Sequence, residues 1–165
     1  MNLKKIIYRE DAFPSDIQNV REIVESSRFF SEDEVEIAVE LLKERLLKDV
    51  SSGYYFLFVE HSRKVIGYAC FGPIPGTKWS YEIYWIAVHN DFRGLGMGKE
   101  ILQRVERKIK AMEGKRIYVE TSSREQYKPT HSFYENCGYK KESILQDFYA
   151  PGDDKVIYVK VCSSP

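Results

Sequence analysis

One stretch limits what this chain can become more than any other. It runs from Tyr81 to Met112 and reads Y-E-I-Y-W-I-A-V-H-N-D-F-R-G-L-G-M-G-K-E-I-L-Q-R-V-E-R-K-I-K-A-M. Tyr81 to Val88 is dense in aromatic and β-branched residues, which suits a short buried strand. His89 to Phe92 is a polar break. Arg93-Gly94-Leu95-Gly96-Met97-Gly98 leads straight into a segment whose apolar residues, Ile101, Leu102, Val105, Ile109 and Met112, recur at helical spacing. The unit is strand, glycine loop, helix. Alternate glycines let a ligand approach the backbone without Cβ atoms in the way. The helix start contributes unpaired N–H groups and the positive end of the macrodipole. Together these make an anion site suited to a phosphate or pyrophosphate.

Two common phosphate loops are excluded by spacing. The dinucleotide pattern G-x-G-x-x-G, begun at Gly94, needs glycine where the chain has Lys99. The Walker pattern needs Ser or Thr after Gly98-Lys99, where Glu100 stands, and a glycine at Arg93. The remaining pattern is R-x-x-G-x-G, at Arg93, Gly96 and Gly98.

The rest of the chain supplies a frame. Lys4 to Arg9 reads as a first strand. Ser15 reads as the N-cap of a helix with the apolar face Ile17, Val20, Ile23 and Val24. Ser31-Glu32-Asp33-Glu34 is a capping box opening a second helix through Val35, Ala38, Val39, Leu42 and Leu46. Ile37, Leu41 and Leu47 widen its apolar face and predict packing on more than one side. Tyr54 to Glu60 and Lys64 to Phe71 predict a hairpin turned at His61-Ser62-Arg63. Gly72 to Gly76 breaks the ladder before the central strand. After the glycine-loop helix, Arg116 to Thr121 predicts a parallel crossover partner. Pro129 suits the first turn of a short helix ending at Gly138. Tyr139 to Tyr149 and Lys155 to Val161 are two last strands.

A second motif, Phe133-Tyr134-Glu135-Asn136-Cys137-Gly138-Tyr139, follows at a distance. The glycine loop with its preceding Ile86-Ala87-Val88, and this F-Y-E-x-x-G-aromatic segment, resemble the two signature regions of the GNAT family of N-acetyltransferases. The element order β-α-α-β-β-β-α-β-α-β-β matches that family too, so the resemblance covers nearly the whole chain. It implies an α/β fold in one domain spanning 1–165. The sheet would be mixed but mostly antiparallel, with about seven strands flanked by four helices. It also implies acetyl-CoA as cosubstrate and no metal. Arg93, Gly94, Leu95, Gly96, Met97, Gly98 and Lys99 would hold the pyrophosphate. The Ile86, Ala87 and Val88 backbone would pair with the pantetheine arm, and the Val88 N–H would face the thioester oxygen.

In that family the tyrosine of the second motif lies near the coenzyme sulfur, so Tyr134 is the expected general acid. A phenol with a reference pKa of ~10 is protonated at neutral pH and can donate to a departing thiolate. Glu82 occupies the position where some members carry a glutamate base. Strand alternation would put Glu82, Tyr84, Ile86 and Val88 on one face. Tyr127 departs from the pattern. It stands where many members have an asparagine on the pantetheine arm, so either it takes that place or it reshapes the acceptor pocket with Pro129 and His131. His131, three residues before Tyr134, is an alternative proton carrier. Phe29, Phe30, Tyr81, Tyr84, Phe148 and Tyr149 could line an acceptor pocket, which favours a small amphiphilic amine over a basic peptide. The acids Glu32, Asp33, Glu34, Glu36 and Glu40 either draw in a cationic amine or simply suit a helix start on a solvated face.

Composition bounds the alternatives. The chain has 165 residues, 43% hydrophobic and 30% charged, with formal net charge zero. It lacks the basic excess of a nucleic-acid or membrane-surface binder. Cys70, Cys137 and Cys162 are an odd, widely spaced set with no disulfide or zinc pattern. No stretch suggests a signal h-region or a membrane span, so a reducing cytoplasm is expected. A homodimer is compatible with all of this. The competing class is a non-catalytic acyl-CoA sensor, which would keep the glycine loop without needing Tyr134 and Glu82.

Overall fold

The computed structural model describes residues 6–162. Lys4 and Lys5, the start of the expected first strand, lie outside the described residues. The elements are β1 (Ile6–Arg9), α1 (Asp16–Ser26), α2 (Glu32–Lys48), β2 (Tyr55–His61), β3 (Lys64–Pro73), β4 (Ser80–Val88), α3 (Met97–Ala111), β5 (Arg116–Ser122), α4 (Lys128–Asn136), β6 (Lys140–Ala150) and β7 (Asp153–Val161). The seven strands form one sheet in the order β1-β2-β3-β4-β5-β7-β6. Only β4 and β5 run parallel, as the crossover through α3 requires. This is the expected mixed, mostly antiparallel sheet with four helices.

Each face of the sheet carries a core. α1 and α2 cover one face, burying Val20, Ile23, Val39 and Leu42 against Phe56, Phe58 and Tyr68. α3 and α4 cover the other, burying Ile101, Leu102, Val105, Ile109 and Tyr134 against Ile66, Phe71, Ile117 and Tyr158. Strands covered on both faces read as continuous apolar runs, which is why β3 is buried from Val65 to Gly72.

Local details differ from the sequence reading in four places. Ser15 makes no capping bond. The start of α1 is held instead by the fully buried Asp16 carboxylate, which accepts the Phe13 N–H (2.8 Å) and two Arg9 guanidinium N–H groups (2.8 and 2.9 Å). A charge-assisted bidentate pair outcompetes a serine hydroxyl. The Ser31–Glu34 capping box forms with both reciprocal bonds. Ile37 and Leu47 of α2, however, are 55% and 77% exposed, so α2 packs by one face only. The β2–β3 turn needs positive φ at both Ser62 and Arg63, the twist-matched two-residue hairpin. And β3 does not stop at Gly72: Pro73 still pairs with Tyr81, and the Ile74 N–H closes the loop on Ser80 O (2.9 Å).

The fourth difference matters most. Phe71 pairs with Ile83 but Cys70 pairs with Trp85, so Tyr84 is an extra residue, a β-bulge in β4. The bulge resets the alternation. Glu82 and Tyr84 face the α1–α2 side, whereas Ile86 and Val88 join the core under α3. The expectation that all four share one face is therefore corrected.

β4 and β5 pair only from Ser80 to Glu82 with Arg116 to Tyr118. Beyond Glu82 they diverge. β4 stays with β3 and β5 stays with β7, leaving a wedge open through the middle of the sheet.

Candidate active site

The wedge divides two hollows that meet at its mouth. The first, about 410 Å³, lies along the glycine loop. Gly94 (φ 76°) and Gly96 (φ 75°) take left-handed conformations that side chains resist, and they turn the chain into α3. Gly98 is already helical, and a Cβ there would touch Phe133 at 3.7 Å, an ordinary contact. The first helical bond of α3 runs from the Glu100 N–H to Gly96 O (3.2 Å). The N–H groups of Met97, Gly98 and Lys99 are thus left without helical acceptors, at the positive end of the helix. Arg93, Gly94, Gly96, Met97, Gly98 and Lys99 line this groove, and Phe133 and Tyr134 of α4 close its far side. Leu95, expected with them, is not part of the lining and is 49% exposed.

The C-terminal half of β4 forms the inner wall. The His89 N–H bonds Ile66 O at 2.8 Å. In an antiparallel ladder that alternates, Ile86 and Val88 then turn their N–H and C=O groups away from β3. Those groups point into the wedge, where β5 no longer pairs with them. The result is an open strand edge that an extended chain can join, with the Val88 N–H at its mouth.

The second hollow, about 650 Å³, opens on the α1–α2 side. Phe29, Phe30, Tyr84, Trp85, Tyr127 and Tyr149 form much of its wall, and Glu34, Glu82, Glu120 and Asp153 supply its carboxylates. The groove and the cleft share Ile86, Ala87, Val88, Arg93, Thr130 and Tyr134.

Tyr134 is 3% exposed, held edge-on between Phe133 and Tyr139, with ring centroids at 5.2 and 5.3 Å. Burial pushes its phenol well above the usual range, so it carries a proton at any working pH. Glu82 faces the cleft with no hydrogen-bond or ion-pair partner among the described residues. Burial, and then the nearby Glu120 charge, raise its carboxyl to about 7, with Lys155 pulling the other way. A carboxylate that exchanges its proton near neutral pH is what a general base requires.

Other expected residues lie elsewhere. Tyr127 lines the cleft and not the glycine-loop groove. Its ring meets Phe29 at 4.7 Å and its hydroxyl donates to Glu34 (3.4 Å). Pro129 does line the groove. His131 turns toward β5, with Nε2 2.9 Å from Thr121 Oγ1 and 3.0 Å from Ser122 O. It lines neither hollow and ties α4 to β5 instead, and burial lowers its pKa. Tyr81 is buried on the opposite face and donates to Met112 O (3.1 Å), and Phe148 packs outside the cleft against Tyr149. Glu36 and Glu40 form ion pairs with Arg21 (2.6 Å) and Lys43 (2.7 Å), as helix-surface acids do, and of the acidic run only Glu34 reaches the cleft.

Four residues in or beside the cleft escape a sequence reading: Glu120, Arg124, Asp153 and Lys155. Lys155, nearly buried, pairs with Glu120 at 2.6 Å and lies 3.7 Å from the Phe148 ring centroid. Arg124 reaches Asp153 (3.3 Å) and Glu34 (3.7 Å). Their only local signal is a charge on an otherwise apolar strand or beside a turn.

A third cavity, about 350 Å³ between α3 and the β1–β3 region, is remote from both, and its Lys108 and Arg104 already pair with Glu10 and Glu100 at 2.7 Å each. Among the described residues no group of three or more His, Cys, Asp or Glu could hold a metal ion, and no helix is long and apolar enough to cross a membrane. All three cysteines are free.

Comparison with known proteins agrees with this fold. A sequence profile of the Acetyltransferase (GNAT) family matches residues 17–139. A solved structure from Desulfovibrio desulfuricans, assigned to the GNAT family, superposes with a TM-score of 0.93 at 38% identity, over 94% of this chain and 98% of that one. An N-alpha-acetyltransferase of Sulfurisphaera tokodaii is 25% identical over 127 residues, which is 61% of this chain and 72% of the relative. The PaiA N-acetyltransferase of Thermoplasma acidophilum, solved in complex with coenzyme A, shares the fold at 18% identity, with a TM-score of 0.73 over 96% of this chain and 99% of that one. On the span of the family match and the whole-length likeness to a member, the chain belongs to the GNAT family of acetyl-CoA-dependent N-acetyltransferases.

Proposed function

We propose that this enzyme transfers the acetyl group of acetyl-CoA to the primary amine of a small molecule, by direct attack with both substrates bound. The observation that carries the reading is the shared mouth of groove and cleft, where the Val88 edge and Tyr134 meet both hollows. The loop fits a pyrophosphate: N–H groups free at a helix start and left-handed glycines without Cβ atoms. The open β4 edge fits the amide-bearing pantetheine arm.

In this reading Glu82 takes the proton the amine loses, through water held along the cleft. The amine nitrogen bonds to the thioester carbon, and the Val88 N–H stabilises the charge that develops on its oxygen. As the carbon–sulfur bond breaks, Tyr134 gives its proton to the sulfur and is later reprotonated from solvent. The products are an amide and free coenzyme A. A location in the reducing cytoplasm belongs to the same proposal.

A second reading, acetylation of a protein N-terminus, is favoured by the Sulfurisphaera tokodaii relative. Against it, the α1–α2 loop and the β5–α4 connection touch across the cleft. Phe29 meets Tyr127, Gln126 Nε2 donates to Phe29 O (3.3 Å), and Arg124 pairs with Glu34. A polypeptide would have to part these contacts, whereas a small amine would not.

The test pairs acetyl-CoA calorimetry with thiol release, using a primary amine and its dimethylated analogue. Binding of acetyl-CoA and release with the primary amine alone are expected. No binding, or release that ignores the amine, would overturn the reading.

A further inference from the structure

We propose that the acceptor is a monoamine with an aromatic or bulky apolar body, and that the cleft selects against polyamines and aminosugars. The inference rests on the small-amine reading above and narrows it by charge and surface.

Four carboxylates line the cleft, but they are not equally free. Glu120 is neutralised by Lys155 at 2.6 Å. Glu34 and Asp153 flank Arg124, and each of their oxygens is already engaged. One Glu34 oxygen accepts the Ser31 N–H (2.8 Å) and the other faces Tyr127 and Arg124. One Asp153 oxygen accepts the Ser122 hydroxyl and the other forms an ion pair with Arg124, 3.3 Å from its Nε. Glu82 alone has no partner among the described residues, and it lines the cleft where β4 and β5 begin to part. One ammonium therefore finds one free carboxylate. A second ammonium farther along would find the Glu34 and Asp153 oxygens already taken, and would lose water without gaining a free acceptor.

The rest of the wall favours an apolar body. The ring centroids of Phe30 and Trp85 lie 5.0 Å apart and those of Phe29 and Tyr127 4.7 Å, and Tyr84 and Tyr149 stand in the same wall. Such rings reward a flat or bulky apolar group with buried area and edge-to-face contacts. The hydroxyls of Ser27, Ser31, Thr121 and Ser122 in the same wall already bond within the protein, so those of an aminosugar would lose water for few new partners.

The experiment measures thiol release from saturating acetyl-CoA with 2-phenylethylamine, n-hexylamine, spermidine and kanamycin, in the wild-type enzyme and in Arg124→Ala. Arg124 is partly exposed, so its loss leaves the core untouched. The wild type is expected to favour 2-phenylethylamine over spermidine and kanamycin in kcat/KM by about tenfold or more, with n-hexylamine between. Arg124→Ala frees Glu34 and Asp153 and is expected to narrow the gap between 2-phenylethylamine and spermidine by about fivefold. Spermidine or kanamycin matching or exceeding 2-phenylethylamine would overturn the proposal alone. Release with none of the four, while acetyl-CoA still binds, would overturn the small-amine reading and this proposal together. An unchanged gap in Arg124→Ala would remove the charge argument.

Discussion

The two hollows are built by opposite means. The groove is made of backbone from one contiguous stretch, Ile86 to Lys99, closed by α4. Its key features are absences: no Cβ at Gly94 and Gly96, no helical acceptors for three N–H groups, no strand partner on the β5 side for the end of β4. The cleft is made of side chains from the α1–α2 loop, β4, β5 and β7, which meet only in the folded chain. In the proposed reading the backbone site recognises what is invariant in the donor, its pyrophosphate and amides. A side-chain site can be retuned by a few substitutions without disturbing the fold. The difference teaches where to cut: the groove should fail by occlusion, and the cleft by changes in chemistry.

The largest effect is expected from Gly98→Glu. Gly98 is helical and its Cβ would meet only an ordinary contact with Phe133, so the variant should fold. The added carboxylate would project from the first turn into the groove, beside the free N–H groups. We expect acetyl-CoA binding to fall by more than ~100-fold, roughly the 2.8 kcal/mol that two decades require. Calorimetry on the variant, with circular dichroism matching wild type, checks this. Near-normal affinity would mean that the loop is a packing turn and that the anion site lies elsewhere.

Tyr134→Phe probes the meeting point of the two hollows. The ring stays, and with it the contacts to Phe133, Tyr139 and Tyr158. Acetyl-CoA affinity should hardly change, while the single-turnover rate falls by ~10²-fold, the usual size of a lost general acid. A loss in rate without a loss in binding marks an interaction made only in the transition state. Single-turnover conditions prevent slow product release from masking the effect. With His131 occupied by Thr121 and Ser122, a rate within about twofold of wild type would leave water as the proton source.

The same contrast decides which parts of the molecule are legible in the amino-acid sequence. The groove is legible because its signals are local: strand, R-x-x-G-x-G and amphipathic helix in one run. So is the fold, through two motifs at family spacing and helices with clear periodicity. The cleft is not. Phe29, Phe30, Tyr84 and Tyr149 stand in its wall as their aromatic character suggests, but Tyr81 and Phe148 do not. Glu120 and Lys155 become partners only because β5 and β7 pair in register, Ser122 against Lys155. The bulge at Tyr84 leaves no mark in an apolar strand, yet it reverses which face Ile86 and Val88 present. Ile37 and Leu47 look like core residues by periodicity and are exposed because one face of α2 already fills the space against α1 and the sheet.

Glu82→Gln should give the smallest effect and the most specific one. The Glu82 carboxyl is raised from 4.5 to about 7, first by burial and then by Glu120, with Lys155 opposing; Tyr84 and Tyr149 are the phenols that face the same space. As a base it works when ionised, so wild-type turnover should rise through pH 7. The variant should lose that rise, run about tenfold slower at pH 7 and recover partly at high pH, where more of the amine is already neutral. Stability supplies an independent check. Between pH 4.5 and 7 the folded state holds a proton that the unfolded state has released, so this group costs wild-type stability as pH rises through that window, and the full cost remains above it. The shift sets an upper bound of about 3 kcal/mol, and screening in a half-open cleft brings it to the order of 1 kcal/mol. Glutamine carries no such cost. The variant should therefore melt a few degrees above wild type at pH 8, and level with it at pH 4.5. A melting difference independent of pH, with parallel rate profiles, would make Glu82 a structural residue and leave the cleft without its one free carboxylate.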